Sequence, residues 1–232
     1  MQSSDFVLVR GIADTRATLR AWNERPGPVV GRWVLASLTI SVALLGAVWL
    51  IAMVSTPDPS ASFLGLSTHA SIEQVLHVIW RNSLVLALHG MACVAGFIAG
   101  SSLPLEAQQR SGVWRWVHDK AGPLAIAFVV CATTFSLVTQ AFVLGSGTAS
   151  LAAKLDVSPG LLLLGLLPHA LPELVALFLP LAAWILASRQ KHWHQLLAAT
   201  VVTVLLAEPV LVAAAFVEVY VAPGLLRWIA AG

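Results

Sequence analysis

Charge is what this chain has least of. Asp, Glu, Lys and Arg make up only 10% of its 232 residues, and 58% are hydrophobic. A soluble domain carries about 25% charged residues, so a water-soluble fold is excluded and an all-α integral membrane protein is expected. Cysteine is scarce too. Cys93 and Cys131 lie in separate apolar runs without a CxxC pair, which excludes zinc-ribbon and thioredoxin chemistry. They read as small buried hydrophobes. The opening MQSSDFVLVRGIADTR has no short apolar core of a signal peptide, so the first apolar span is expected to serve as an uncleaved anchor. HExxH, EExxxR, GxSxG and Walker motifs are all missing, and Gly145-Ser146-Gly147 has no adjacent base. The enzyme signal is weak, and nothing suggests a nucleic-acid surface.

What the chain does have is long hydrophobic runs. Crossing the hydrocarbon core takes about 20 apolar residues. Five segments qualify: 33–54, 80–103, 123–144, 168–187 and 195–221. Residues 29–232 therefore read as a single five-helix transmembrane domain, and 1–28 as a cytoplasmic amphipathic segment. In the latter, Leu8, Ile12, Leu19 and Trp22 share one helical face, with Arg10, Arg16, Arg20 and Glu24 off it. Such a helix either lies on the inner leaflet or packs against the ends of the spans. Glu24-Arg25-Pro26-Gly27-Pro28 ends it. Pro209 predicts a kink in the fifth span.

Lys and Arg set the expected orientation. Arg10, Arg16, Arg20, Arg25, Arg32, Arg110, Arg115, Lys120, Arg189 and Lys191 fall on one side, against Arg81, Lys154 and Arg227 on the other. The positive-inside rule then places the N-terminus in the cytoplasm and the C-terminus outside. Ser71 with Gln74 has capping-box spacing, so the second helix should begin before its apolar run. Ser158-Pro159-Gly160 reads as a helix start. The run Leu161–Leu167 is too short to span before Pro168, which predicts a short broken helical elbow ahead of the fourth span.

The polar residues inside the spans carry the functional signal. A charged residue at the bilayer centre costs roughly 2.5–3.5 kcal/mol on insertion scales, so such groups face protein or water. His169 and Glu173 stand one turn apart on one face of the fourth span. Counting depth at about 1.5 Å per residue brings Asn82, His89, Gln140, His169, Glu173, Glu208 and Glu218 into the outer half of the membrane. They could form an interhelical hydrogen-bond cluster, helped by Gly90, Gly96, Gly100 and Gly165, or line an outward-facing polar cavity. No cofactor is required. His169, Glu173 and Glu208 also leave a divalent-metal site open. His192 and His194 beside Lys191 read as a basic interface patch.

Pro168-His169-Ala170-Leu171-Pro172-Glu173 resembles the Pro-His-Gly-x-x-Glu motif that opens the fourth helix in the stage II sporulation protein M family. Phe216-Val217-Glu218-Val219-Tyr220-Val221-Ala222-Pro223 is similar to that family's late Glu before a Pro, and Arg81-Asn82-Ser83 to its Asn at the start of helix two. The match is best over residues 165–223. Ala170 replaces the motif glycine, and Gln140-Ala141 stands where Asn-Gly often occurs. The resemblance implies five spans in a bacterial or archaeal cytoplasmic membrane. It also implies a role in anchoring a cell-envelope complex, or partnership with a MoxR-type ATPase system or transporter components. Three readings stay open: a non-catalytic scaffold or permease-like subunit, which could self-associate as a homo-oligomer; a proton- or ion-coupled transporter; and an intramembrane metal-dependent hydrolase using His169, Glu173 and Glu208.

Overall fold

The computed structural model describes residues 7–58, 60, 70–104 and 111–231, with the backbone alone for 7–10 and 119. All regular structure among them is helical. Helix α1 (Val7–Glu24) stops at Arg25, and α2 (Pro26–Val54) starts at once, as the proline-glycine breaker predicts. Next come α3 (Ile72–Phe97), which runs into a π-helical turn at Ile98–Ser102, α4 (Gly112–Leu155) and α5 (Pro159–Arg189). The last stretch joins a short 3-10 turn at Trp193–Gln195, α6 (Leu196–Phe216), a second π-helical turn at Val217–Val221, and α7 (Ala222–Ala230). Five of these stretches are long and apolar enough to cross a membrane: Pro26–Val54, Ile72–Ser102, Gly112–Leu155, Pro159–Arg189 and Trp193–Ala230. The fold is of the all-α membrane type.

The capping signals act as expected. Ser71 N donates to Gln74 Oε1 and Gln74 N to Ser71 Oγ, both at 3.3 Å, which fixes the start of α3. Leu161 N donates to Ser158 Oγ at 3.2 Å, and Pro159 opens α5. Asp156 and Lys191, both at positive φ, close the ends of α4 and α5. The following amides reach back five residues, Val157 N to Ala152 O and His192 N to Ala187 O. These closures let α4, α5 and the next helix follow one another with very short connections.

One expectation is corrected. The fourth span is not broken: α5 runs without interruption through Pro168, Pro172 and Pro180. A proline in a helix removes one ladder bond, whereas unwinding in hydrocarbon would bare several backbone groups at several kcal/mol each. Staying helical is the cheaper outcome. The fifth span stays helical through Pro209, and departs from α geometry at Val217–Val221. There the Ala222 amide bonds to Val217 O, one residue further back than in an α-helix, just before Pro223, which has no amide to donate.

The chain forms two compact units. The first comprises Met1–Ser37, Leu86–Thr133 and Phe178–Ala207. Small residues set its packing. A Cβ on Gly96 would lie 2.6 Å from Trp184 Nε1, one on Gly100 would overlap the Trp193 indole, and one on Gly122 would lie 2.8 Å from the Ala99 carbonyl. Helix α1 docks here through Gly11, whose added Cβ would stand 3.0 Å from Phe97 Cζ. The rings of Trp22 and Trp33 meet edge-on at 5.0 Å. The inward stripe is Gly11, Thr15, Thr18 and Trp22, and Ile12 is 54% exposed. The face thus sits about one position away from the expected Leu8–Ile12–Leu19–Trp22 line, with Gly11 packed closely on the Phe97 ring. Leu8's side chain lies outside the described residues. Helix α1 packs against Phe97 and Leu197 of the first unit through Gly11.

The second unit comprises Leu38–Val85, Thr134–Leu177 and Glu208–Gly232. Val75 and Val78 pack on Ala215 and Val219, and Ala152 and Leu162 on Leu226. A Cβ on Gly165 would touch Leu226 at 3.3 Å and Ile229 at 2.6 Å, and one on Gly145 would meet Ile51 at 2.6 Å. Most of the expected outer loop between the first two spans, and the start of the Gln109–Lys120 loop, lie outside the described residues.

Candidate functional site

The contact of Gly165 with Leu226 and Ile229 sets the register of the second unit. About two turns onward from Gly165 stands Glu173, and about two turns back from Leu226 stands Glu218. The two carboxylates therefore come level. A cavity of about 180 Å³ opens there, lined by Arg81, His169, Glu173, Glu218 and Thr148, with leucine and valine walls including Leu45, Val48 and Leu174. It has room for several waters. Helix α5 supplies His169 and Glu173 one turn apart, α3 supplies Arg81, and the π-helical turn supplies Glu218.

Arg81 acts electrostatically on both carboxylates, and Glu218 acts on Glu173. Asn82 is buried and stands beside Glu173. One guanidinium thus faces two carboxylates, with an imidazole alongside. His169 Nδ1 and Glu218 Oε2 are buried without a hydrogen-bond partner among the described residues. Buried polar atoms are nearly always paired, so two orphans at one small cavity mark it as a place for water or a polar ligand.

The remaining expected members fall elsewhere. Glu208 does not line the cavity. It accepts a hydrogen bond from Ser83 Oγ at 3.3 Å. At about 1.5 Å rise per residue it lies some 15 Å along the axis from Glu218, so only one of the two can stand level with Glu173. Gln140 Nε2 donates to Ser136 Oγ one turn back on its own helix, at 3.1 Å. His89 belongs to the first unit, edge-on to Phe178 at 5.5 Å between ring centres. Among the described residues no three His, Cys, Asp or Glu side chains converge as a metal site would require, which corrects the expected His169–Glu173–Glu208 set. Its physical cause is the same axial offset of Glu208.

Arg81 is the residue that sequence reading missed. It read as an outer-surface cation, and its place beside Asn82 on the same span was the signal that could have found it.

The family model for Stage II sporulation protein M matches residues 123–223, a segment holding α5, both carboxylates of the cavity and His169. The matched segment reaches back from the two C-terminal motifs into α4 and does not include Arg81-Asn82-Ser83. No curated protein and no solved structure matches the chain.

Proposed function

We propose that this membrane protein is a non-catalytic, permease-like subunit of a membrane complex, in which the Arg81–His169–Glu173–Glu218 cavity takes up water and a proton or small cation. One observation carries this reading: buried polar atoms of His169 and Glu218 line an open space and have no protein partner. A hydrogen-bonded glue between helices would pair them. Two carboxylates against one guanidinium favour a cation over an anion. The chain crosses the membrane five times with its N-terminus in the cytoplasm, following the ten-to-three Lys and Arg asymmetry. Its setting is a bacterial or archaeal cytoplasmic membrane, and its partners are cell-envelope proteins, a MoxR-type ATPase system or transporter components, in line with the family it resembles.

A wet cavity is tested by thiol labelling in nanodiscs, where both faces are accessible. Thr148→Cys should react with a cationic methanethiosulfonate faster than with an anionic one, and Glu173→Gln should erase that preference. Ala153→Cys, at an exposed position on the same helix, is the reactive control. If the control is labelled and position 148 resists both reagents, the cavity is dry and the scaffold reading replaces this one. The Ser83–Glu208 bond and the Asn82–Glu173 contact favour a glue role, and only at those points.

A further inference from the structure

The first unit carries a second opening, unrelated to the polar cavity. Where α1 turns into α2, a groove of about 500 Å³ is walled by Leu19, Trp22, Val29, Val30 and Trp33, with Arg20 at its edge. It is joined through Trp22, Val29 and Trp33 to a second recess of about 230 Å³, which Arg32, Gln190 and His192 border. The shared walls make these one site with an apolar floor and a basic rim. No Asp or Glu lines either part. Arg20 and Arg32 are exposed, while Trp33 is buried and Trp22 half-buried.

We propose that this groove binds one anionic phospholipid, with its phosphate held by Arg20 and Arg32 and the start of an acyl chain laid along Val29, Val30 and the two indoles. The placement fits the chemistry. Tryptophan gathers at the headgroup level of a bilayer, and Trp33 stands near the start of the first span, just after the amphipathic helix. Basic recesses between membrane helices select anionic headgroups. Affinity cannot come from moving the acyl chain out of water, because in a bilayer the chain is in hydrocarbon whether bound or free. Selection therefore rests on the headgroup charge, and the groove contributes shape. A water-soluble phosphate would lack the apolar half of the site.

Native mass spectrometry of the full chain, loaded with equal phosphatidylglycerol and phosphatidylcholine, reads this directly. One phosphatidylglycerol should be retained in preference. The Arg20→Ala/Arg32→Ala pair should lose about thirtyfold of that preference, from about 1 kcal/mol per basic residue at 1.4 kcal/mol per tenfold. The Arg20→Lys/Arg32→Lys pair should keep most of it. Val30→Trp fills the groove with both charges intact, and should lose the lipid as well. Equal retention of the two lipids by the wild type overturns the proposal, as does an unchanged preference in the double alanine variant. Displacement by inorganic phosphate at the same concentration would show a bare phosphate site, and would overturn it too.

Discussion

The two units handle buried polarity in different ways. In the first, glycines let indoles close onto the backbone, and the unpaired buried atoms are neutral donors: Trp184 Nε1 and the hydroxyls of Ser102 and Ser188. Where a polar group there can reach a carbonyl it does so, as Cys93 Sγ does to Pro180 O at 3.1 Å and Thr203 Oγ1 to Ala199 O at 2.7 Å. In the second, two of the unpaired atoms, His169 Nδ1 and Glu218 Oε2, belong to ionisable side chains that border open space, alongside the neutral Nδ2 of Asn82. None of the neutral orphans of the first unit lines either of its openings. The ionisable orphans of the second unit do line its cavity, and that is why the second unit holds the candidate site.

The strongest way to break this contrast is to add a methyl group where the first unit has no space. Gly100→Ala should destabilise by about 1–3 kcal/mol, the usual range for overpacking, because its Cβ overlaps the Trp193 indole. Gly147→Ala, in α4 of the second unit, meets nothing within 4 Å. It should instead gain up to about 1 kcal/mol of helix propensity. Reversible unfolding in mixed micelles would measure both. Equal effects at the two positions would mean that glycine does not set the density of the first unit.

A second test asks what Glu173 contributes to its own unit. Polar contacts between membrane helices average about 0.6 kcal/mol and reach about 1.7 kcal/mol. Glu173→Gln keeps shape and polarity, so it should stay within about 0.6 kcal/mol of the wild type while losing the cation preference in thiol labelling. Glu173→Leu leaves Arg81 and Glu218 without that polar neighbour, and should cost about 1–2 kcal/mol in the same unfolding measurement. If Leu proved more stable than Gln, the cavity would be a packing flaw.

The residues that could be read from sequence were those governed by local rules. Ser71, Gln74, Ser158 and Pro159 sit where capping chemistry puts them, and five apolar stretches became five long helices. His169 and Glu173 share a cavity because one turn of helix guarantees a common face. The choice between Glu208 and Glu218 was not local. It depends on Gly165 meeting Leu226 and Ile229, a register that hydropathy does not encode. Helix ends were not legible either, since α5 starts at Pro159, well before the apolar boundary at 168. The unbroken course of α5 was missed for another reason. Proline is a breaker in water, but hydrocarbon penalises the break more than the missing bond.

A smaller effect separates caps from packing within the second unit. Ser71→Ala removes the hydroxyl that Gln74 N uses, and should cost about 1 kcal/mol. Hydrogen exchange should show this loss as fraying of the first turn of α3, with the amides from Val78 onward unchanged. Fraying that spread to those core positions would mean that the start of α3 is held by its cap alone and not by the valines on Ala215 and Val219.

The smallest effect lies at Asp58, a carboxylate of the second unit that does have partners. Its Oδ1 accepts from Ser60 Oγ at 2.7 Å and from Ser60 N at 2.8 Å, while its own amide donates to Ser150 Oγ at 3.0 Å. The Ser60 hydroxyl bond, then the Ser60 amide bond and more weakly Lys154, hold this carboxyl below its ordinary value. A lowered folded-state value means the ionised form is the one that folding favours. The contribution is therefore complete above the ordinary carboxylate range, and is lost as pH falls through the folded-state value. Protection of the Ser60 amide should be flat from neutral pH down to about pH 4, near the usual Asp value, and decline only below it. Asp58→Asn should remove that acid dependence, and Ser60→Ala should move the decline upward in pH. Because Asp58 is fully exposed, global stability should barely change in either variant. A decline already present near neutral pH would mean that another group, not Asp58, orders this turn.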